Sequence, residues 1–376
     1  MLKIEPRIES SKLMTWLSPV IAIILTMMVS SLMFTSLGVS PTKAFEVFVI
    51  SPLSDSYNLG ELMVKSTPLM LCAVGLALCY RANIWNIGAE GQLLIGAVAS
   101  SAIAVQMGED AGVGSLVLVL FVGMISGMLW AAVPTLLERI FHTNLILTTI
   151  MLNYVGLYTL LWAVHGPLAD PQGFGFPESI IFPDGVLLPI IQEEGRASIS
   201  IVIAVIVALL SGLMLYKTLP GFKLRVFGED PSAARYAGFN SSKIIWGAML
   251  FAGALAGFAG AAEVTGPIGQ LIPSVSPGYG YAAIIVAYLG RLNPIGIILA
   301  ALFMGTLYMG TDLAQIELGL PTAITGLFQG TLLFFLLACD FLIFYRIAIR
   351  KRNPKHTHPL LVKSEIVDTH HESGVA

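Results

Sequence analysis

Residues 81–92 read RANIWNIGAEGQ, a polar dozen set between the apolar runs LMLCAVGLALCY (69–80) and LLIGAVASSAIAV (93–105). A helix facing lipid has no use for Arg81, Asn83, Asn86, Glu90 and Gln92 together, because each buried polar group without a partner costs about 2–7 kcal/mol. Polar residues at membrane depth face a bundle interior or a water-filled path. Asn83, Asn86 and Glu90 fall at i, i+3 and i+7, so they share a face if the piece is helical. Gly88 and Gly91 allow a break or a close neighbour. Two readings stand at this point: a broken helix lining a conduit, and a tight polar turn between two spans.

Working outward, 56% of the 376 residues are hydrophobic and 11% are charged. An ordinary globular chain has about 25% charged residues, and here the apolar residues come in long runs. The composition specifies an all-α polytopic membrane protein. Cys72 and Cys79 are about 10 Å apart along a helix, too far to bridge, and with Cys339 they read as packing residues in apolar segments. The first apolar run is longer than a signal-peptide core and no small-residue cleavage site follows it, so it is expected to remain as a span.

The spacing predicts about ten transmembrane helices. The first covers 13–37, and a loop over 38–66 holds a short helix near 42–49. The stretch 67–107 is barely twice the about 20 residues that one crossing needs, so one of its two helices must be short, broken or re-entrant. Such discontinuities mark binding sites in transporters. Further spans are expected at 112–137, 145–164, 199–216, 244–264, 278–289, 295–309 and 323–344. Gly123 and Gly127 have a GxxxG spacing, and FAGALAGFAGAAE (251–263) is rich in small residues, so both helices are expected to pack closely. Thr149 and Asn153 share a helix face, suited to interhelical hydrogen bonds or to a ligand. The loop 165–198 is long, rich in Pro and Gly, and acidic at Asp170, Glu178, Asp184, Glu193 and Glu194. Within the basic loop 217–243, Asp230 as N-cap, Pro231 at the first helical position and Gly238 as stop mark a compact helix.

Orientation follows from charge. Of the 20 Lys and Arg, a scheme with the N-terminus inside and ten crossings leaves only Lys43, Lys65 and Arg196 outside, in accord with the positive-inside rule. Both termini are then cytoplasmic, the loop 165–198 is extracytoplasmic and the short helix lies inside. A single crossing over 67–107 would place the basic loop outside, so this stretch is expected to cross twice. Residues 1–345 form the transmembrane domain, and 346–376 form a basic, then polar, partly disordered tail whose histidines read as solvated.

No P-loop, H-E-x-x-H, paired-cysteine metal motif or G-x-S-x-G elbow is present in the sequence. The chain is read as a transport or channel protein that is not an enzyme and binds no cofactor or metal. Proton-coupled secondary transport is the alternative, with Glu90 and Glu263 as the intramembrane acids. A membrane scaffold without a conduit is a third reading, and it would tolerate apolar residues at Asn83 and Asn86.

The stretches ANIWNIGAEGQ (82–92), TTIMLNY (148–154), GPLADPQGFGFPES (166–179), GFKLRVFGEDPSAARYAG (221–238) and GYGYAAIIVAYLGRLNP (278–294) resemble permease subunits of bacterial nucleoside-type ABC importers. These belong to the wider group of ribose, simple-sugar and branched-chain amino-acid permeases. The resemblance runs from about residue 13 to 345, and its most specific parts are the first and fourth stretches. It implies two permeases forming one path, with a heterodimer expected and a homodimer allowed. It also implies cytosolic ATPases holding ATP and Mg, an extracytoplasmic solute-binding protein and a home in the bacterial cytoplasmic membrane. By the same resemblance 230–238 is a coupling helix, with Glu229, Asp230, Pro231, Arg235 and Gly238 meeting the ATPase. The residues expected to line the path are Asn83, Trp85, Asn86, Glu90, Gln92, Asn153 and Glu263, with Trp85 able to stack on a base. Nucleic acid is not an expected partner. Two departures stand out: Leu145 follows Asn144 where relatives commonly carry an acid, and Arg225 is followed by Val226 and Phe227 where relatives often show a basic residue and Ala, a change conservative in effect.

Overall fold

The computed structural model describes residues 2–6, 12–108, 111–192, 195–321 and 323–349. Arg7, Glu193, Glu194 and the tail from Arg350 onward, with its basic residues and histidines, lie outside the described residues. Thirteen helices run in order as α1 (Lys12–Ser36), α2 (Pro41–Phe45), α3 (Ser56–Arg81), α4 (Ala89–Ala104), α5 (Val113–Phe141), α6 (Leu145–His165), α7 (Ser200–Lys217), α8 (Leu219–Glu229), α9 (Pro231–Tyr236), α10 (Ser241–Glu263), α11 (Tyr279–Leu289), α12 (Pro294–Leu318) and α13 (Ala323–Phe344). A short antiparallel ribbon pairs β1 (Leu2–Pro6) with β2 (Tyr345–Ile349), at the start of the tail expected to be partly disordered. Among the described residues seven helices are long and apolar enough to cross a membrane, and three shorter apolar helices accompany them.

Helix α3 is the axis of the bundle. It is apolar all round, which suits a helix enclosed by others, and α10, α11, α12 and α7 pack against it. It begins at Ser56, well before the start expected near Thr67. Asp55 caps it, Oδ1 accepting the Asn58 amide at 2.7 Å. The charges that made 56–66 look like a loop are paired inside the fold: Glu61 accepts two hydrogen bonds from Arg196, at 2.9 and 2.6 Å, and Lys65 lies 3.2 Å from Asp312. Asp312 itself belongs to α12, which continues to Leu318 through the residues expected as a link.

Helices α5 and α10 lie in backbone contact. A Cβ added at Gly127 would sit 2.5 Å from the Gly257 Cα, and one at Gly257 would overlap the Gly123 carbonyl. The small-residue spacing of both helices thus has its expected use: removing side chains lets two backbones meet where dispersion contacts are densest. The loop 165–198 adopts turns and a single helical turn at Asp184–Val186. It is laced to the segment after α10: the Ser179, Phe182 and Leu188 amides donate to the Leu271, Gly269 and Thr265 carbonyls.

The loop 217–243 holds two helices where one was expected. Asp230 caps α9, Oδ1 accepting the Ser232 amide at 2.7 Å, and Gly238 takes φ 79° beyond its end. Helix α8 precedes it. Pro220 lies in its first turn, where the missing N–H of proline is not needed.

Candidate functional site

The polar dozen is not one helix. Helix α3 runs unbroken to Arg81, 82–88 is irregular, and α4 begins at Ala89. Asn83, with φ 57°, turns the chain out of the helical path. The face expected for Asn83, Asn86 and Glu90 therefore does not form, because the left-handed turn separates the first of them from the others.

Each end of this passage has a fixed level in the bundle. Arg81 donates to the Leu292 carbonyl at 3.3 Å, the Arg291 carbonyl at 3.4 Å and the Tyr216 hydroxyl at 3.3 Å, all beyond the end of α11 or near that of α7. Glu90 meets the opposite end of α11, its Oε2 accepting the Gly280 amide at 2.7 Å. Helix α11 has 11 residues, about 16 Å at 1.5 Å each. The chain between Arg81 and Glu90 covers that distance as turns and irregular backbone, and α4 starts where the climb ends.

The N-termini of α4 and α11 meet there. A Cβ on Gly280 would overlap the backbone of Glu90, so glycine is required at this approach. The Glu90 carboxylate lies in the first turn of α4 and against the first turn of α11. Both helix dipoles favour a negative group at that point. Ser276 completes the start of α11, its hydroxyl accepting the Gly278 and Tyr279 amides at 3.2 and 3.0 Å.

The amides of Ala82, Asn83, Ile84 and Asn86 donate to backbone carbonyls, and from Ile87 onward side chains satisfy the irregular backbone. Asn153 on α6 accepts the Gly91 amide at 2.9 Å and donates to the Ile87 carbonyl at 2.8 Å. Thr149, one turn earlier, accepts the Ile87 amide at 3.3 Å. Asn86 accepts the Gly88 amide at 2.8 Å and pairs with the Gln92 amide at 3.4 and 3.5 Å. The Tyr80 hydroxyl donates to the Asn86 carbonyl at 2.8 Å. Asn86, Glu90, Gln92, Thr149 and Asn153 are all buried. Their polar atoms are engaged in holding the break, as unpaired backbone groups in a buried segment would otherwise be costly.

Asn83 and Trp85 differ from the rest. Both are exposed, the Trp85 Nε1–H donates to Asn83 Oδ1 at 3.2 Å, and Trp85 is stacked against Tyr288 with planes 25° apart. Tyr80 stacks on the same tyrosine at 5.4 Å between ring centroids. An aromatic surface with an adjacent amide is thus presented beside Arg81. Tyr80, Tyr288, Ser276 and Gly280 were not singled out from the sequence, since a lone tyrosine or serine in an apolar run carries no positional signal.

Glu263 lies apart from this junction, at the end of α10, and is buried. Among the described residues it forms neither a hydrogen bond nor an ion pair, and it lines a cavity of about 210 Å³ with Lys65 and Arg196. Arg196 lies outside the helices, and its hydrogen bonds to Glu61 hold the guanidinium proton more tightly than in an ordinary arginine.

The residues matched to a coupling helix occupy another exposed surface. Glu229, Asp230, Pro231, Arg235 and Gly238 are exposed, and within α9 only Ala234 is buried. The last turn of α8, just before α9, rests on the polar dozen: a Cβ at Gly228 would overlap the Arg81 carbonyl and lie 3.1 Å from the Ala82 Cα. Leu224 and Phe227 anchor α8 in the core.

Comparison with known proteins agrees with this architecture. The family described as Branched-chain amino acid transport system / permease component matches residues 58–337. The glucose ABC transporter permease protein TsgB13 of Haloferax volcanii is 30% identical, over 93% of this chain and 94% of its own length. The guanosine ABC transporter permease protein NupP of Bacillus subtilis is 30% identical, over 85% of this chain and 92% of its own. The nucleoside ABC transporter permease protein NupB of Lactococcus lactis is 27% identical, over 87% and 92%. No solved structure matches the chain significantly. A match through α3 to α13, including the junction and α9, means that the chain belongs to the branched-chain amino acid transport system permease family.

Proposed function

We propose that the chain is the membrane-spanning permease subunit of an ATP-driven importer for a nucleoside or simple sugar. The observation that carries this reading is the exposed, capped helix α9 joined directly to α8, whose last turn at Gly228 bears on Arg81 and Ala82, where the interrupted passage begins. A partner that grips α9 has a short mechanical route to the junction of α4 and α11. The printed activities of the relatives, glucose, guanosine and nucleoside transport, support the solute class.

In this reading the chain crosses the bacterial cytoplasmic membrane ten times, with both termini in the cytoplasm. A second permease, heterologous by preference, completes the path. Cytosolic ATPases hold ATP and Mg and receive α9 with Glu229, Asp230, Pro231, Arg235 and Gly238. An extracytoplasmic binding protein delivers solute to the loop 165–198. Closure of the ATPases pushes α8 and α9 against Arg81, and the helices rock about the junction in alternating access. Asn83 and Trp85 face the path, while Asn86, Glu90, Gln92 and Asn153 hold the backbone that shapes it.

Affinity purification from native membranes, with a tag on the C-terminal tail, tests the reading. Recovery of an ATPase and a second permease, lost on replacing Glu229 and Asp230 by Ala and Arg235 by Glu, is the expected result. Recovery of the chain alone from cells that still take up solute would overturn it.

A further inference from the structure

We propose that the cavity around Glu263 and Tyr308 is an outer-side subsite for the hydroxyl groups of a neutral polyhydroxylated solute, a free sugar or the ribosyl part of a nucleoside. This rests on the importer reading above and adds where, and by which chemistry, the permease itself tests its cargo.

Two cavities adjoin, with Lys65 and Pro277 on the walls of both. The one lined by Glu263, Arg196, Ser274 and Tyr279 has a volume of about 210 Å³. The one lined by Tyr308, Thr311, Asp312 and Gln329 has about 380 Å³. Small-molecule sites span about 300–1,000 Å³, so the pair is of a size for a small solute.

Two buried polar groups here have hydrogen-bonding capacity to spare, although Glu263 faces the charges of Lys65 and Arg196. Glu263 is 7% exposed and forms no hydrogen bond or ion pair among the described residues, although it lines the smaller cavity. The hydroxyl of Tyr308, a residue 5% exposed, has no hydrogen-bond partner and belongs to the larger one. Buried polar groups are nearly always paired, and an unpaired one in a native fold calls for an explanation. A ligand that supplies both a donor and an acceptor is one.

The charges select the class of that ligand. Arg196 is paired with Glu61 and Lys65 with Asp312, and Glu263 faces the same two cations, so it is the one carboxylate in excess of the bases. A phosphate ester would meet that carboxylate and be repelled. A divalent cation would find one free carboxylate beside two basic side chains, short of the several oxygen ligands such ions take. Hydroxyl groups suit both sides: they donate to Glu263 and accept from Lys65, Arg196 or Tyr308, whose donors are not all used. Pro267, Pro277 and Val275 supply apolar wall for the carbon face of a sugar ring.

The test compares maximal uptake of a solute with that of its deoxy analogue. Proteoliposomes of the whole importer are given saturating guanosine against 2′-deoxyguanosine, and D-glucose against 2-deoxyglucose. Wild type is compared with Glu263→Gln and Tyr308→Phe. The binding protein is common to all, so a change in the ratio belongs to the permease. The expected result is that one or both variants shift the ratio toward unity by about 3- to 10-fold, as loss of one hydrogen bond would do. An unchanged ratio in both variants, with wild-type uptake intact, would overturn the subsite and leave the importer standing. Wild-type complex that imports none of the four solutes would overturn the solute class and the subsite together. Tyr308→Phe removes a single hydroxyl, so it carries the test if Glu263→Gln fails to assemble.

Discussion

Glu90 and Gly280 are 190 residues apart in the chain, yet the Glu90 carboxylate accepts the Gly280 amide proton at 2.7 Å where two helix N-termini meet. Glu90 thus has a bond to make whether or not solute passes beside it. We predict that Glu90→Gln, which retains an acceptor oxygen, keeps uptake within about threefold of wild type. Glu90→Leu leaves the amide unpaired and is expected to destabilise the complex by about 1–3 kcal/mol. Thermal unfolding of the purified complex and solute uptake check both. Abolition of uptake by Glu90→Gln in an assembled complex would favour proton coupling.

The irregular passage hangs on α6 through Asn153, which holds the Ile87 carbonyl and the Gly91 amide together. Asn153→Leu removes both bonds and is expected to lower stability by about 2–4 kcal/mol. Thr149→Val removes a single bond to Ile87 and is expected to act about half as strongly. The order of the two unfolding temperatures decides the matter; equal values would mean that α6 does not secure the break.

Gly228 has no room for a side chain against the Arg81 carbonyl. If force passes from α9 to the junction through this contact, Gly228→Val should leave the partners bound but lower solute-stimulated ATP hydrolysis and uptake together, by about tenfold or more. Co-purification paired with an ATPase assay separates this outcome from failed assembly. Normal coupling in the variant would move the route elsewhere.

Helices α5 and α10 touch through Gly123, Gly127, Gly253 and Gly257. Gly257→Leu forces the backbones apart and is expected to cost about 3 kcal/mol or more. The chain should then fail to accumulate in membranes, as read by immunoblot. Gly330→Leu on α13, where an added Cβ meets nothing within 4 Å, is expected to accumulate normally.

The Glu61–Arg196 and Lys65–Asp312 ion pairs differ in burial, and so should their loss. Arg196→Ala strands the Glu61 side chain, which is 4% exposed, whereas Lys65→Ala frees Asp312, which is 47% exposed. The first is expected to lower the unfolding temperature more than the second, because an unpaired charge is costly in proportion to its distance from water. A reversed order would show that the Glu61 pair contributes little.

Much of this protein is determined by local sequence. Length and polarity of the apolar runs place α1, α5, α6, α7 and α13 within a few residues of where they fold, since a membrane-length helix satisfies its own backbone and needs no partner to be recognised. Asp230, Pro231 and Gly238 announce α9 because capping is local chemistry. The small residues of α5 and α10 announce close packing. What tertiary structure alone decided is the fate of the polar groups. Glu61 and Lys65 looked like loop until Arg196 and Asp312, more than a hundred residues away, were brought to them. Asn83, Asn86 and Glu90 looked like one helical face until α6 and α11 supplied competing partners for the backbone between them. Apolar burial is additive and largely indifferent to which neighbour provides it, so it can be read from the chain. A buried hydrogen bond depends on one partner at one distance and angle, and that partner is known only once the chain has folded.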